Sequence, residues 1–150
     1  VSAPFLVFGA DASRLCEASA SILAAQTFSA EAFAEARASG QPVFLWFTAD
    51  WCVTCKVNES VAIEREVTAE AFEEAGVIAM VGDWTVRDEE ITGFLTDQGA
   101  AGVPLYLWYE PGADPEQLPQ VLTTDTLTSR AQRTRGSDTP ARTARAARSD

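Results

Sequence analysis

Val43-Phe44-Leu45-Trp46-Phe47-Thr48-Ala49-Asp50-Trp51-Cys52-Val53-Thr54-Cys55 joins two kinds of local structure within one short stretch. Residues 43–48 form an unbroken run of aromatic, aliphatic and β-branched side chains, the pattern of a central strand covered on both faces. Asp50-Trp51 breaks that run, and Cys52 to about Arg65 reads as helix. Cys52 and Cys55 are three residues apart, close to one helical turn, so their sulfurs lie near one face and near each other. A disulfide needs Cβ atoms about 3.5–4.5 Å apart, a separation that a helix start provides. The first turn also offers free N–H groups and the positive end of the helix dipole, which favour a thiolate at Cys52. The thiolate is the attacking species in thiol–disulfide exchange. Cys52, nearer the exposed helix tip, is the expected nucleophile, and Cys55, one turn in, the resolving thiol.

Upstream, Ser29 is placed to cap a helix over Ala30–Ser39 that stops at Gly40, with Phe28 and Phe33 spaced as a hydrophobic staple. Downstream, Ala69–Ala75 reads as a short helix ended by Gly76, and Val77–Val81 as a second buried strand. Thr85 and Asp88 fit a capping box. Ile91, Phe94 and Leu95 then share one face of a helix ending near Gly99. Val103–Tyr109 is a third strand, residues 110–115 are dense in turn formers, and Gln120–Leu122 suits a short antiparallel partner. Thr124 to about Gln132 closes the pattern as a last helix. Buried strands alternating with helices predict an α/β fold, a mixed central sheet flanked by helices on both faces.

The chain has 150 residues, which favours one domain, and a formal charge of −11 that is unevenly spread. Residues 1–129 hold 20 acidic and 5 basic side chains, whereas 130–150 hold 6 Arg and 2 Asp. An acidic body does not suit a nucleic-acid binder, whose affinity rests on neutralising phosphates. No stretch reaches the roughly 20 apolar residues of a membrane span. Residues 1–26 read as a linker or the end of an upstream segment, with the apolar run at 3–10 as a signal-peptide remnant or a helix end. A first residue of Val rather than Met suggests a fragment of a longer protein. The domain proper is expected at 27–129. From Arg130 onward there is no Val, Ile, Leu, Met or aromatic residue, so 130–150 reads as a disordered Arg-rich tail.

With no His in the chain, catalytic triads and HExxH zinc sites are excluded. A structural zinc wants about four ligands, and beyond the pair only Cys16 remains. A c-type haem needs His after the second Cys, where Lys56 stands. Cys16 reads as a spare thiol, with a mixed disulfide as the alternative. Two inert buried thiols and a Cu(I)-binding dithiolate are the remaining rivals for the Cys52–Cys55 pair.

The segment Phe47-Thr48-Ala49-Asp50-Trp51-Cys52-Val53-Thr54-Cys55-Lys56-Val57-Asn58-Glu59 resembles the active-site region of the C-terminal thioredoxin-like domain of the DsbD family, thiol:disulfide interchange proteins that include Scs-type relatives. Gly82-Asp83-Trp84-Thr85, with Asp88 and Ile91 after it, and Gly102-Val103-Pro104-Leu105-Tyr106 are further matches, so that the likeness spans about residues 27–128. The resemblance implies a thioredoxin-like fold and no cofactor. It also implies a periplasmic position beside a membrane-embedded electron-donor domain, and reduction of a periplasmic thioredoxin-like acceptor. It makes Val103-Pro104 a cis-proline loop facing the cysteines, whose backbone would pair with an extended partner segment; a strand-edge proline is the alternative. It makes Glu59 an acid on the cysteine face that raises the thiol pKa values and shuttles a proton, against a solvated surface Glu. Trp51 is expected to shield the thiols as part of the partner-binding face, with core packing as its rival, and Lys56 to be an exposed flank. One departure stands out: many family members hold an Asp six residues before the first cysteine, where this chain has Trp46. A disulfide isomerase or oxidant using the same dithiol is the second enzymatic reading.

Overall fold

The computed structural model describes residues 22–135, so Cys16, the apolar run at 3–10 and residues 136–150 lie outside the described residues. Five strands, β1 (Gln26–Thr27), β2 (Val43–Thr48), β3 (Ile78–Asp83), β4 (Leu105–Tyr109) and β5 (Glu116–Gln117), form one sheet in the order β1-β3-β2-β4-β5. Central β2 pairs in parallel with β3 and antiparallel with β4, which makes the sheet mixed as expected. All six residues of β2 are buried. Their alternation splits the core: Val43, Leu45 and Phe47 face one layer, and Phe44 and Trp46 the other.

The first layer is covered by α1 (Ala30–Ala38) and α4 (Glu89–Asp97). Ser29 caps α1 by accepting the Ala32 N–H at 3.0 Å, and the Phe28 and Phe33 rings meet at 6.2 Å as the staple requires. Gly40, Gly76 and Gly99 all take positive φ where helices were expected to stop. Gly82 answers a different constraint. A Cβ there would stand inside van der Waals contact of the Phe47 ring, so only glycine lets β3 lie beside β2 at that register.

The second layer is covered by α2 (Val53–Asn58), which widens into a π turn at Glu59–Ile63, by α3 (Glu66–Ala75), and by α5 over residues 124–135. Asn58 ties this layer together. It is 3% exposed, donates to the Tyr106 hydroxyl at 2.9 Å and to the Gln120 carbonyl at 2.6 Å, and accepts from the Leu122 N–H at 3.1 Å.

Four sequence expectations need correction. Residues 120–122 are not a strand, because Asn58 takes the Gln120 and Leu122 backbone groups; the antiparallel partner of β4 is Glu116–Gln117. The helix expected from Ala69 starts at Glu66. Thr85 does not cap α4; Asp88 does, accepting the Ile91 N–H at 3.1 Å. The chain from Arg130 is not disordered at once, since α5 continues to residue 135. Its anchors are distant in sequence: Arg130 reaches Glu116 at 2.7 Å, Thr134 reaches Glu110 at 2.7 Å, Arg135 reaches Glu74 at 2.9 Å, and Ala131 is 1% exposed against the core.

Two outcomes follow from these anchors. Asn58→Ala leaves a buried hydroxyl, a carbonyl and an N–H short of a partner, so urea unfolding should show a loss of about 2–4 kcal/mol. Hydrogen bonds and the charges of Arg130 and Arg133 hold Glu116 below its ordinary value of 4.5. Its contribution is therefore present above that value and lost as pH falls through the lowered one. The melting temperatures of wild type and Glu116→Gln should differ at pH 7, and the difference should shrink as pH falls below the ordinary carboxylate range.

Candidate functional site

The site is built where β2 gives way to α2. Cys52 takes an extended conformation, φ −91° and ψ 99°, and occupies the N-cap of α2. Its N–H donates to the Ala49 carbonyl at 3.1 Å, and its own carbonyl accepts the Lys56 N–H at 3.1 Å. The Cys52 Sγ stands where the side-chain oxygen of a Ser or Asp cap would stand, accepting the Cys55 N–H at 3.2 Å. No acidic residue occupies the first turn of α2 to oppose the helix dipole. Cys52 and Cys55 are joined as a disulfide with Cα atoms 5.2 Å apart. Both cysteines are buried, Cys55 at 0% and Cys52 at 7% exposed, so Cys52 is the outer residue of the pair.

The Val103–Pro104 peptide is cis, and Val103 packs against the cluster of Ala49, Cys52 and Cys55. The Pro104 carbonyl accepts from the Gln120 side chain at 3.4 Å, which links this loop to the Asn58 network behind the cysteines. Trp51 is 54% exposed, so core packing is not its role. Its ring lies 6.1 Å from that of Trp84, and its indole N–H donates to the Thr85 carbonyl at 3.2 Å. Val53 (76% exposed), Val57 and Val86 are further exposed apolar side chains close in sequence to the two cysteines or to Trp84.

Lys56 lies between two acids, 3.0 Å from Glu59 and 3.7 Å from Asp50. Burial pulls its pKa down. The hydrogen bond and charge of Glu59, aided by Asp50 and Asp83, outweigh that and hold it above 10.5. Lys56 is thus a cation and no base at neutral pH. The Glu59 side chain, 18% exposed, is neither sealed nor freely solvated, and its carboxylate is engaged by Lys56. Burial pushes Tyr106 up to about 12, so it stays a neutral phenol beneath Asn58. Trp46 is 3% exposed, stacks on Phe44 at 5.2 Å, and its indole N–H has no hydrogen-bond partner among the described residues. No carboxylate is available at that position to accept a proton. Among the described residues no three Cys, Asp or Glu side chains gather as a metal site requires.

Sequence reasoning missed two residues here. Asn58 looked like any helical polar residue, although its position three residues after Cys55 puts it on the same buried face. Thr85 was given to a helix cap, yet its hydroxyl accepts the Asp50 N–H at 2.9 Å in the loop before the cysteines.

A dithiol/disulfide pair at a helix tip, backed by a cis-proline loop on a mixed sheet, defines a thiol–disulfide oxidoreductase of thioredoxin type. The family model described as thioredoxin-like matches residues 24–111, and the chain belongs to that family. Among solved structures it is similar to the DsbD C-terminal domain of Neisseria meningitidis. The oxidised form matches with a TM-score of 0.60 and 20% identity over 73% of this chain and 98% of that one. The reduced form matches with a TM-score of 0.58 and 20% identity over 73% and 99%. A thioredoxin of Halobacterium salinarum NRC-1 matches with a TM-score of 0.56 and 18% identity over 73% and 88%. No curated protein matches the chain in sequence.

The slightly greater exposure of Cys52, at the helix tip, has a direct consequence. With the pair reduced, sub-stoichiometric iodoacetamide should label Cys52 at least about tenfold faster than Cys55, as read by peptide mass spectrometry.

Proposed function

We propose that this domain is a protein-disulfide reductase in a relay of the DsbD type. In this reading a membrane-embedded donor domain reduces Cys52–Cys55, and the dithiol then reduces a periplasmic thioredoxin-like acceptor. The Cys52 thiolate attacks one sulfur of the acceptor disulfide, that S–S bond breaks, and the departing sulfur takes up a proton. Cys55 then loses its proton and attacks the Cys52 sulfur, which re-forms the Cys52–Cys55 disulfide and releases the acceptor carrying two electrons and two thiols. Cys52 and Cys55 are the catalytic residues. Glu59, four residues after Cys55 along the helix, is the candidate to manage the Cys55 proton, given that Trp46 fills the alternative position.

The observation that carries this reading is the placing of Cys52 Sγ at an N-cap with Val103 of the cis-proline loop packed against the pair. That arrangement lets a partner disulfide approach Cys52 while the partner's extended backbone lies along Val103. Exposed Trp51, Val53 and Val86 support a protein partner rather than a small thiol. Burying one such side chain is worth about 1.5–3 kcal/mol, which the free domain forgoes. The likeness to the Neisseria DsbD domain over nearly its whole length supports the relay setting.

Cys55→Ser, reduced and mixed with an oxidised thioredoxin-like acceptor, should accumulate a mixed disulfide through Cys52 on non-reducing gels, whereas Cys52→Ser should form none through that position. A Cu(I)-binding module would trap nothing. An oxidant or isomerase would trap reduced or scrambled substrates in preference to the oxidised acceptor.

A further inference from the structure

The loop after β3 grips the redox loop at three consecutive anchor points. The Trp84 N–H donates to the Thr48 carbonyl at 2.7 Å, the Thr85 hydroxyl accepts the Asp50 N–H at 2.9 Å, and the Thr85 carbonyl accepts the Trp51 indole at 3.2 Å. These anchors cover the whole passage from the end of β2 to the residue before Cys52. The middle one depends on Asp83. Its Oδ1 accepts both the Thr85 N–H, at 2.9 Å, and the Thr85 O–H in a short contact. A hydroxyl has one proton and two lone pairs. With its proton committed to Asp83, Thr85 is obliged to present a lone pair, the only polarity that the Asp50 N–H can use.

We propose that Thr85, oriented by Asp83, is a positioning residue for the redox loop, setting the turn that carries Cys52 into the N-cap of α2. It touches no reacting atom. It acts through Asp50 on the backbone that places the Cys52 sulfur opposite the Cys55 N–H. Loosening the turn moves that sulfur off the donor that stabilises its thiolate, so the reactivity of Cys52 falls while the fold beneath, held by β2, remains. The charged side chains at this edge include Asp50, Lys56, Glu59, Asp83 and Arg87, whose guanidinium lies 5.1 Å from the Trp84 ring centroid, and Thr85 substitutions leave all five in place. The inference rests on Cys52 being the attacking thiol.

The test is the pH profile of iodoacetamide alkylation at Cys52 in the reduced protein, with thermal unfolding of each variant in parallel. Thr85→Val and Thr85→Ala both lack the hydroxyl, one with nearly the native shape and one without added bulk. Each should lower the pH 7 rate about twofold to tenfold and move the midpoint of the profile upward, the size expected for one lost hydrogen bond. Thr85→Ser keeps the hydroxyl and should recover the rate to within about twofold. The proposal is overturned if the Val and Ala profiles coincide with wild type, or if Ser falls as far as they do. It is also overturned if rates drop only in step with melting temperature and with no shift in midpoint. Alkylation needs no partner protein. A wild-type domain that alkylates at Cys52 but fails to reduce an acceptor disulfide would therefore sink the relay reading and leave this one standing.

Discussion

A helix must begin somewhere, and its first N–H groups must find acceptors outside the helix. In this chain the acceptor at that boundary is a sulfur. Cys52 holds the N-cap of α2 and its Sγ receives the Cys55 N–H, so the group that starts the helix is also the group that trades electrons. The rest of the molecule reads as support for that one arrangement. Central β2 is buried on both faces and fixes where the chain emerges. Asn58 fastens α2 to β4 and to the segment before α5. The loop after β3 holds the emerging chain from the side.

The electrostatics around the pair differ from what a buried aspartate would create. Trp46 brings to that position an aromatic face and an N–H without a hydrogen-bond partner among the described residues, and no carboxylate. The acids lie at the rim instead, and Lys56 bridges Glu59 and Asp50. A carboxylate paired with an ammonium raises a neighbouring thiol pKa less than a lone buried one, because the two charges offset each other at short range. At Cys52 itself the helix terminus is the feature that favours a thiolate, with the Cys55 N–H directed at its sulfur.

Much of this was legible in the sequence, and the boundary between legible and not is physical. The run Val43–Thr48 pointed to a doubly covered strand because it is short, follows Gly40 and Pro42, and is rich in aromatic and β-branched residues, and Ser29, Gly40, Gly76 and Gly99 marked helix ends through local backbone chemistry. The Cys52–Cys55 spacing located the site for the same reason: it depends on one helical turn. What escaped was set by partners far along the chain. Residues 120–122 look like a strand until Asn58, more than sixty residues earlier, claims their backbone. Arg130–Arg135 look like part of a solvated tail until Glu74, Glu110 and Glu116 anchor them in α5. Thr85 satisfied a capping pattern, yet Asp88 formed the cap unaided and left Thr85 to the redox loop.

The central claim is that Cys52 and Cys55 work as one two-electron couple at the tip of α2. Equilibrating the protein with glutathione buffers of graded ratio, and following the fluorescence of the adjacent Trp51, tests it most directly. The account predicts a single reversible transition with a slope of about 30 mV per tenfold change, the value for two electrons, with no lasting glutathione adduct. A protein whose sulfurs titrate separately, accumulate glutathione, or stay unresponsive across the range would contradict it.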